Sequence, residues 1–304
     1  MSTGTARTAE TDNRHRGADG ERRIDDSVVE QAARAEAARA KRLRARDLVL
    51  SIGTPILLLA LWEWGARTGA IDARLFSAPS EVFRRTWEML ASGELGDHIA
   101  VTVYRFATGY VAGGFLGVVV GMLLGMSRAA NAAFGPLFSA LYALPKIAIL
   151  PLLFLIFGLN DTSRIIAVAV TVFFVLQINT QGGIRQLDAK VQEAATAYGA
   201  VGTKRLVHVI LPGILPAVFT GFRVAAGLGV VIVTAVEFVA SDSGLGYLIW
   251  NSWQLFQPEK MYVGLVAVAL LGALVTLVVN VVERLAVPWR RDGAGRRRSR
   301  RSNR

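Results

Sequence analysis

The feature that most restricts this chain is its succession of apolar runs long enough to cross a bilayer, separated by short polar stretches. In hydrocarbon every backbone N–H and C=O must find a partner within its own segment, so such runs fold as helices. They fall at about residues 48–64, 98–126, 132–157, 165–178, 213–239 and 261–285, which predicts an all-α polytopic membrane protein with six transmembrane helices. Hydrophobic residues make up 53% of the 304 positions and charged residues 19%, with a mean hydropathy of +0.41. That balance is too apolar for an ordinary soluble domain. Cys is absent and the three His (His15, His98, His208) are far apart in sequence, which excludes a disulfide framework, a thiolate metal site and a Cys nucleophile.

The net charge of +11 is not spread along the chain. Residues 290–304 alone carry +7, residues 1–47 carry +2, and the apolar body carries the rest. A basic tail beside a final apolar run marks an end facing anionic lipid rather than a nucleic-acid site. The organisation expected is a cytoplasmic extension over 1–46, disordered at first and basic and helical over 30–46, then a membrane domain over 47–288 and an Arg-rich tail over 289–304. No signal-peptide cleavage site follows the first run. Six spans put both termini on one side. Residues 31–46, Arg128, Arg185, Lys190, Lys204, Arg205 and the tail give that side the excess of Lys and Arg, which makes it cytoplasmic.

Within the spans, Pro55 interrupts the first, and Trp62 and Trp64 flank Glu63 as interface anchors. A short helix starting at Ser80-Glu81, with Val82, Phe83, Thr86, Trp87 and Leu90 on one face, lies along the surface. Gly109, Gly113, Gly117, Gly121 and Gly125 form a ridge at four-residue spacing for close helix packing in lipid. Pro136, Pro145 and Pro151 kink or break the third span, with Lys146 between them. Ionisable residues inside spans are costly, which singles out Arg105, Lys146, Arg223 and Glu237 as gate or path residues. Arg223 and Glu237 are about 21 Å apart on one helix and cannot pair. Arg105 and Glu237 sit at similar depth on spans running in opposite directions, which leaves two readings open: a contact near the outer gate, or helix-end side chains reaching to water.

The polar island over 181–212 stands apart. Asp188 reads as an N-cap and Gly199 as a stop, and Val191, Ala194, Ala195 and Tyr198 share one small-residue face. A second helical turn then ends at Pro212, which starts the next span. Small side chains let another surface approach closely, so the island reads as a docking knob for a partner protein. Gly199 to Lys204 lacks the phosphate-loop spacing and a strand before it, so any nucleotide chemistry belongs to a partner.

Glu193-Ala194-Ala195, three residues, Gly199, nine residues, Val209, one residue and Leu211-Pro212 resemble the EAA loop in permease subunits of bacterial ABC importers, with Val209 where the family usually has Ile. Ser77-Ala78-Pro79-Ser80, Leu144-Pro145-Lys146-Ile147-Ala148-Ile149-Leu150-Pro151-Leu152 with Phe157-Gly158, and Ser243-Gly244-Leu245-Gly246-Tyr247 resemble the branch that handles nitrate, taurine and aliphatic sulfonates. The resemblance covers about residues 50–288.

It implies a type I importer permease with a MetI-like fold in the bacterial cytoplasmic (inner) membrane. It also implies a dimer with a second copy of itself, two cytosolic ATPase subunits and an extracytoplasmic solute-binding protein. Glu193, Ala194, Ala195, Gly199, Leu211 and Pro212 then belong to the ATPase-coupling loop. ATP and Mg are used by the partner ATPase, this chain binds no cofactor, and nucleic acid is not a partner. The cargo implied is a small anion moved by alternating access; a vitamin or pyrimidine precursor is the alternative. Two other classes are more distant. An ion-coupled secondary transporter would need no ATPase, and an intramembrane enzyme would need a nucleophile, metal cluster or acid/base pair that the sequence does not supply.

Overall fold

The computed structural model describes residues 31, 38–39, 41–43, 45–72 and 75–289. The expectations for residues 1–30 and for the Arg-rich tail lie outside the described residues. The chain divides after Ile71 into two units. The first holds one long helix, α1 (Lys41–Thr68), which passes through Pro55 without the interruption its sequence suggests. Glu63 and Arg67 form an ion pair one turn apart near its end, and Thr68 Oγ1 donates to the Trp64 carbonyl at 2.9 Å.

The second unit is helical throughout its described length. It contains α2 (Pro79–Ala91), α3 (Glu94–Met126), α4 (Arg128–Ala143), a 3₁₀ turn (Lys146–Ile149), α5 (Leu150–Phe157) and α6 (Asp161–Arg185). It continues with α7 (Ala189–Ala197), α8 (Gly202–Arg205), a π-helical turn (Leu206–Ile210), α9 (Leu211–Ala240), α10 (Leu245–Gln254) and α11 (Pro258–Ala286). Helices α1, α3, α6, α9 with its preceding turns, and α11 are each long and apolar enough to cross a membrane. The pair α4 and α5, bent by 95° at its break, brings the count to six if it serves as one span.

The prolines of that pair act by position. Pro136 sits inside α4, whereas Leu144, forced into extended backbone before Pro145, ends the helix. Pro151 occupies the first turn of α5, where its missing N–H has no partner to lose. In α2 the expected single face divides. Val82 and Met89 are buried on the inner edge, while Phe83, Trp87 and Leu90, one position further round, are exposed. The stretch between α9 and α11 holds a further helix, α10.

The core lies where α6 packs between α3 and α9, with Phe106, Val168, Val172, Leu176, Ile214 and Val233 fully enclosed. A second cluster joins α2, α10 and α11 to the start of α3 through Met89, Leu95, Leu245 and Val263. The glycine ridge determines the first interface. A methyl group added at Gly109, Gly117 or Gly121 would lie 2.7, 2.5 or 2.6 Å from the carbonyl oxygens of Ile165, Phe173 and Gln177, and one at Gly113 would lie closer still to that of Ala169. Four glycines on α3 thus meet four backbone carbonyls on α6, both sets at four-residue spacing, and the two backbones touch.

Candidate functional site

Two sites occupy opposite ends of the core. The first is the segment between α6 and α9. Asp188 accepts the Lys190 N–H at 2.9 Å and starts α7 as an N-cap. The helix closes in a Schellman arrangement around Gly199, whose φ is +77°: the Gly199 N–H reaches the Thr196 carbonyl at 3.0 Å and the Ala200 N–H reaches that of Ala195 at 2.9 Å. Glu193, Ala194, Val191 and Tyr198 are exposed and Ala195 is half-buried, so the small-residue face looks outward. Tyr198 is 93% exposed.

Beyond Gly202 the chain does not stop at Pro212. The α8 turn runs through the π-helical turn into α9 as one 38-residue helix, Gly202–Val239, with Leu211 and Pro212 in its first α-helical turn. A π turn inserts one residue, and that extra residue accommodates a proline that lacks a donor and crowds the carbonyl one turn back. Arg205 donates to Gln192 Oε1 at 2.6 Å, and Gln192 donates to the Leu187 carbonyl at 3.3 Å, bracing α7 against the helix that follows. Behind the brace lies a cavity of about 250 Å³, lined by Gly125, Met126, Ile184, Leu187, Gly202 and Ile210 among others.

The second site joins the start of α3, the start of α6 and the end of α9. Arg105, 1% exposed, donates to Glu237 Oε1 at 2.9 Å and to Asp161 Oδ1 at 2.9 Å. It also reaches Ser241 Oγ at 3.1 Å and the Ser243 carbonyl at 2.8 Å. Glu237, fully enclosed, accepts from Thr102 Oγ1 at 3.0 Å and from the Gly246 N–H at 2.8 Å. The Leu245 N–H donates to Thr102 Oγ1 at 2.7 Å, and the Gly244 N–H to His98 Nδ1 at 3.1 Å. Gly244 has a φ of +104°, and a side chain there would collide with the Glu237 carboxylate. The Ser243-Gly244-Leu245-Gly246 segment is therefore a backbone clamp fitted over a buried ion pair.

Of the ionisable residues singled out in the spans, Arg105 and Glu237 meet. Arg223 lies elsewhere, on α9 against α11, donating to Asn280 Oδ1 at 2.9 Å and paired with Glu283. Lys146 lies at the break between α4 and α5, where among the described residues it meets carbonyls and aromatic rings but no carboxylate. Sequence reasoning missed Asp161, which bridges Arg105 and Arg164, and also Thr102, Ser243, Gln192 and Arg205. The Arg223–Glu283 pair was missed as well: Arg223 lies near the middle of its helix and Glu283 in the last turn of α11, so their positions along the sequence do not match them in depth.

Comparison with known proteins fits this arrangement. The family described as binding-protein-dependent transport system inner membrane component matches residues 113–292. The putative aliphatic sulfonates transport permease protein SsuC of Bacillus subtilis (strain 168) is 32% identical over 86% of this chain and 95% of its own. Its namesake in Escherichia coli (strain K12) is 34% identical over 77% of this chain and 89% of its own. Among solved structures, a chain of the inward-facing MetNI methionine ABC transporter shares the fold, with a TM-score of 0.52 at 18% identity over 64% of this chain and 97% of that one. An exposed small-faced helix between two spans, a MetI-like bundle and a family match over most of the membrane body lead to one assignment: the chain belongs to the binding-protein-dependent transport system inner membrane components and is a multi-pass inner-membrane permease subunit of an ABC importer.

Proposed function

We propose that this permease carries a small anion inward by alternating access, with an aliphatic sulfonate as the best-supported cargo class and taurine or nitrate as chemical neighbours. It works as a homodimer, with a cytosolic ATPase seated on each copy's α7 and an extracytoplasmic binding protein delivering the cargo to the opposite end. Both termini and the 181–212 loop face the cytosol, and the nucleotide and its Mg stay in the ATPase. The Arg105–Glu237 network belongs to the outer gate.

One observation carries the coupling role. The segment Ala189–Ala197 is capped at both ends, braced from behind and bare on its small-residue face. Such a helix is built to be held by another protein, and one turn away it runs into a span that reaches the buried network. The sulfonate class is supported by the names of the relatives rather than by any group in the loop.

The test is reconstitution with the cognate ATPase and binding protein. The wild-type complex takes up a labelled alkanesulfonate only with ATP. Glu193→Lys and Gly199→Trp insert normally yet lose both ATPase capture and uptake. Persistent uptake in both variants, or uptake driven by an ion gradient without ATP, overturns the reading.

A further inference from the structure

The cationic side chains within the spans of the second unit include Arg105, Lys146, Arg164 and Arg223. Three are answered by carboxylates. Arg105 pairs with Glu237 and Asp161, Arg164 with Asp161, and Arg223 with Glu283. Among the described residues, the Lys146 ammonium has no carboxylate in ion-pair reach.

What holds Lys146 is neutral. The ammonium donates to the Leu144 carbonyl at 3.0 Å and to that of Tyr142, at the C-terminal end of α4. It lies 4.7 Å from the ring centroid of Tyr142 and 5.1 Å from that of Phe174. Helix-end carbonyls and aromatic faces fix the position of a cation without cancelling its charge.

Its depth matters. Phe174 lies near the middle of the 25-residue α6, so the ammonium over its ring lies near mid-bilayer. An unneutralised charge at that depth is costly against acyl chains and is found facing a bundle interior or a water-filled cavity. The broken backbone beside it, Leu144–Pro145, obeys the same restriction, because non-helical backbone at membrane depth is tolerated only inside protein or along a polar cavity. Both features require Lys146 and the break beside it to face protein or a polar cavity rather than acyl chains.

We propose that Lys146 is the mid-membrane counter-charge for the anionic head of the cargo, an organic sulfonate or similar oxyanion. The inference rests on the anionic-cargo reading above. Arg105, Arg164 and Arg223 already have their counter-ions, and drawing an anion to any of them would displace a carboxylate. At Lys146 an incoming sulfonate oxygen replaces one helix-end carbonyl as acceptor, and the charge is neutralised for the first time. The adjoining rings of Phe138, Tyr142 and Phe174, with centroid separations of 6.3 and 6.5 Å to Phe174, give a short alkyl tail an apolar wall.

The test uses the full transporter in proteoliposomes with its ATPase and binding protein. Uptake of a labelled short alkanesulfonate is measured beside ATP hydrolysis stimulated by the loaded binding protein. Losing one charged contact in the path lowers uptake roughly tenfold or more in Lys146→Gln, while stimulated hydrolysis stays within about twofold of wild type and Lys146→Arg keeps most of the uptake. Wild-type uptake by Lys146→Gln overturns the proposal and leaves the cargo reading standing. Equal loss of uptake and stimulated hydrolysis in both variants also overturns it, by showing that the side chain only caps α4. A wild-type complex that imports a neutral solute and no sulfonate sinks the cargo reading, and this inference with it.

Discussion

Arg105 and Glu237 are each almost wholly withdrawn from solvent, and every polar atom of the pair that points inward has a named partner. An ion pair buried this way adds little net stability over a well-packed apolar pair, but removing one member leaves a naked charge. Arg105→Gln and Glu237→Gln are each expected to lose roughly 3–5 kcal/mol. Thermal unfolding of the permease in nanodiscs would show this, and the double variant should recover part of the loss. Equal stability of the single variants and the wild type would rule out a structural role for the network. Matched depth on antiparallel spans made this contact one of two readings open to the sequence, because the rise of a helix is fixed. Thr102, Asp161 and Ser243 were not legible in that way. They are ordinary polar residues, and only the packing of α3, α6 and the turn after α9 around one point brings a hydroxyl, a carboxylate and a backbone N–H to the pair.

The contact between α3 and α6 depends on what is missing from the side chains. Glycine costs a helix about 1 kcal/mol relative to alanine, so a ridge of them inside a 33-residue helix needs a compensating contact, and here that contact is backbone against backbone. Gly117→Ala should therefore lower thermal stability by about 1–3 kcal/mol through overpacking, whereas Gly227→Ala should leave it equal or raise it, since nothing lies within 4 Å of an added methyl there. Unfolding temperatures of the two variants decide it: a loss at Gly227 as large as at Gly117 would contradict the packing. The four-residue spacing was visible in the sequence, but the partner helix was not, because small residues do not specify what they admit. The π turn before α9 had no sequence sign either. Pro212 was read as a boundary, and one inserted residue turns it into part of a continuous helix.

At the scale of the whole molecule, the bundle has two ends, one bearing the ion network and α10, the other the exposed α7. The distribution of Lys and Arg predicts the orientation across the membrane, and the prediction can be read out directly because the sequence has no Cys. Lys190→Cys should react with a membrane-impermeant maleimide only from the cytosolic side and Asp242→Cys only from the outside; the reverse pattern would invert the assignment. The brace at α7 makes a further prediction. Gln192→Ala removes the acceptor for Arg205, and uptake per ATP hydrolysed should fall while hydrolysis itself persists, measured side by side in proteoliposomes. Unchanged uptake per ATP would show that the brace is dispensable.

The joined backbones of α3 and α6 leave this pair few degrees of freedom. Two rods in contact along a row of glycines cannot roll or slide by a fraction of a turn without driving carbonyl oxygens into a neighbouring chain, so the movement left to them is a common tilt. At one end the pair carries Arg105 and Asp161, and at the other Gly125 and Ile184 border the cavity behind α7. A push on either end is therefore expected to move the two helices together, as one plank rather than as two sliding slats.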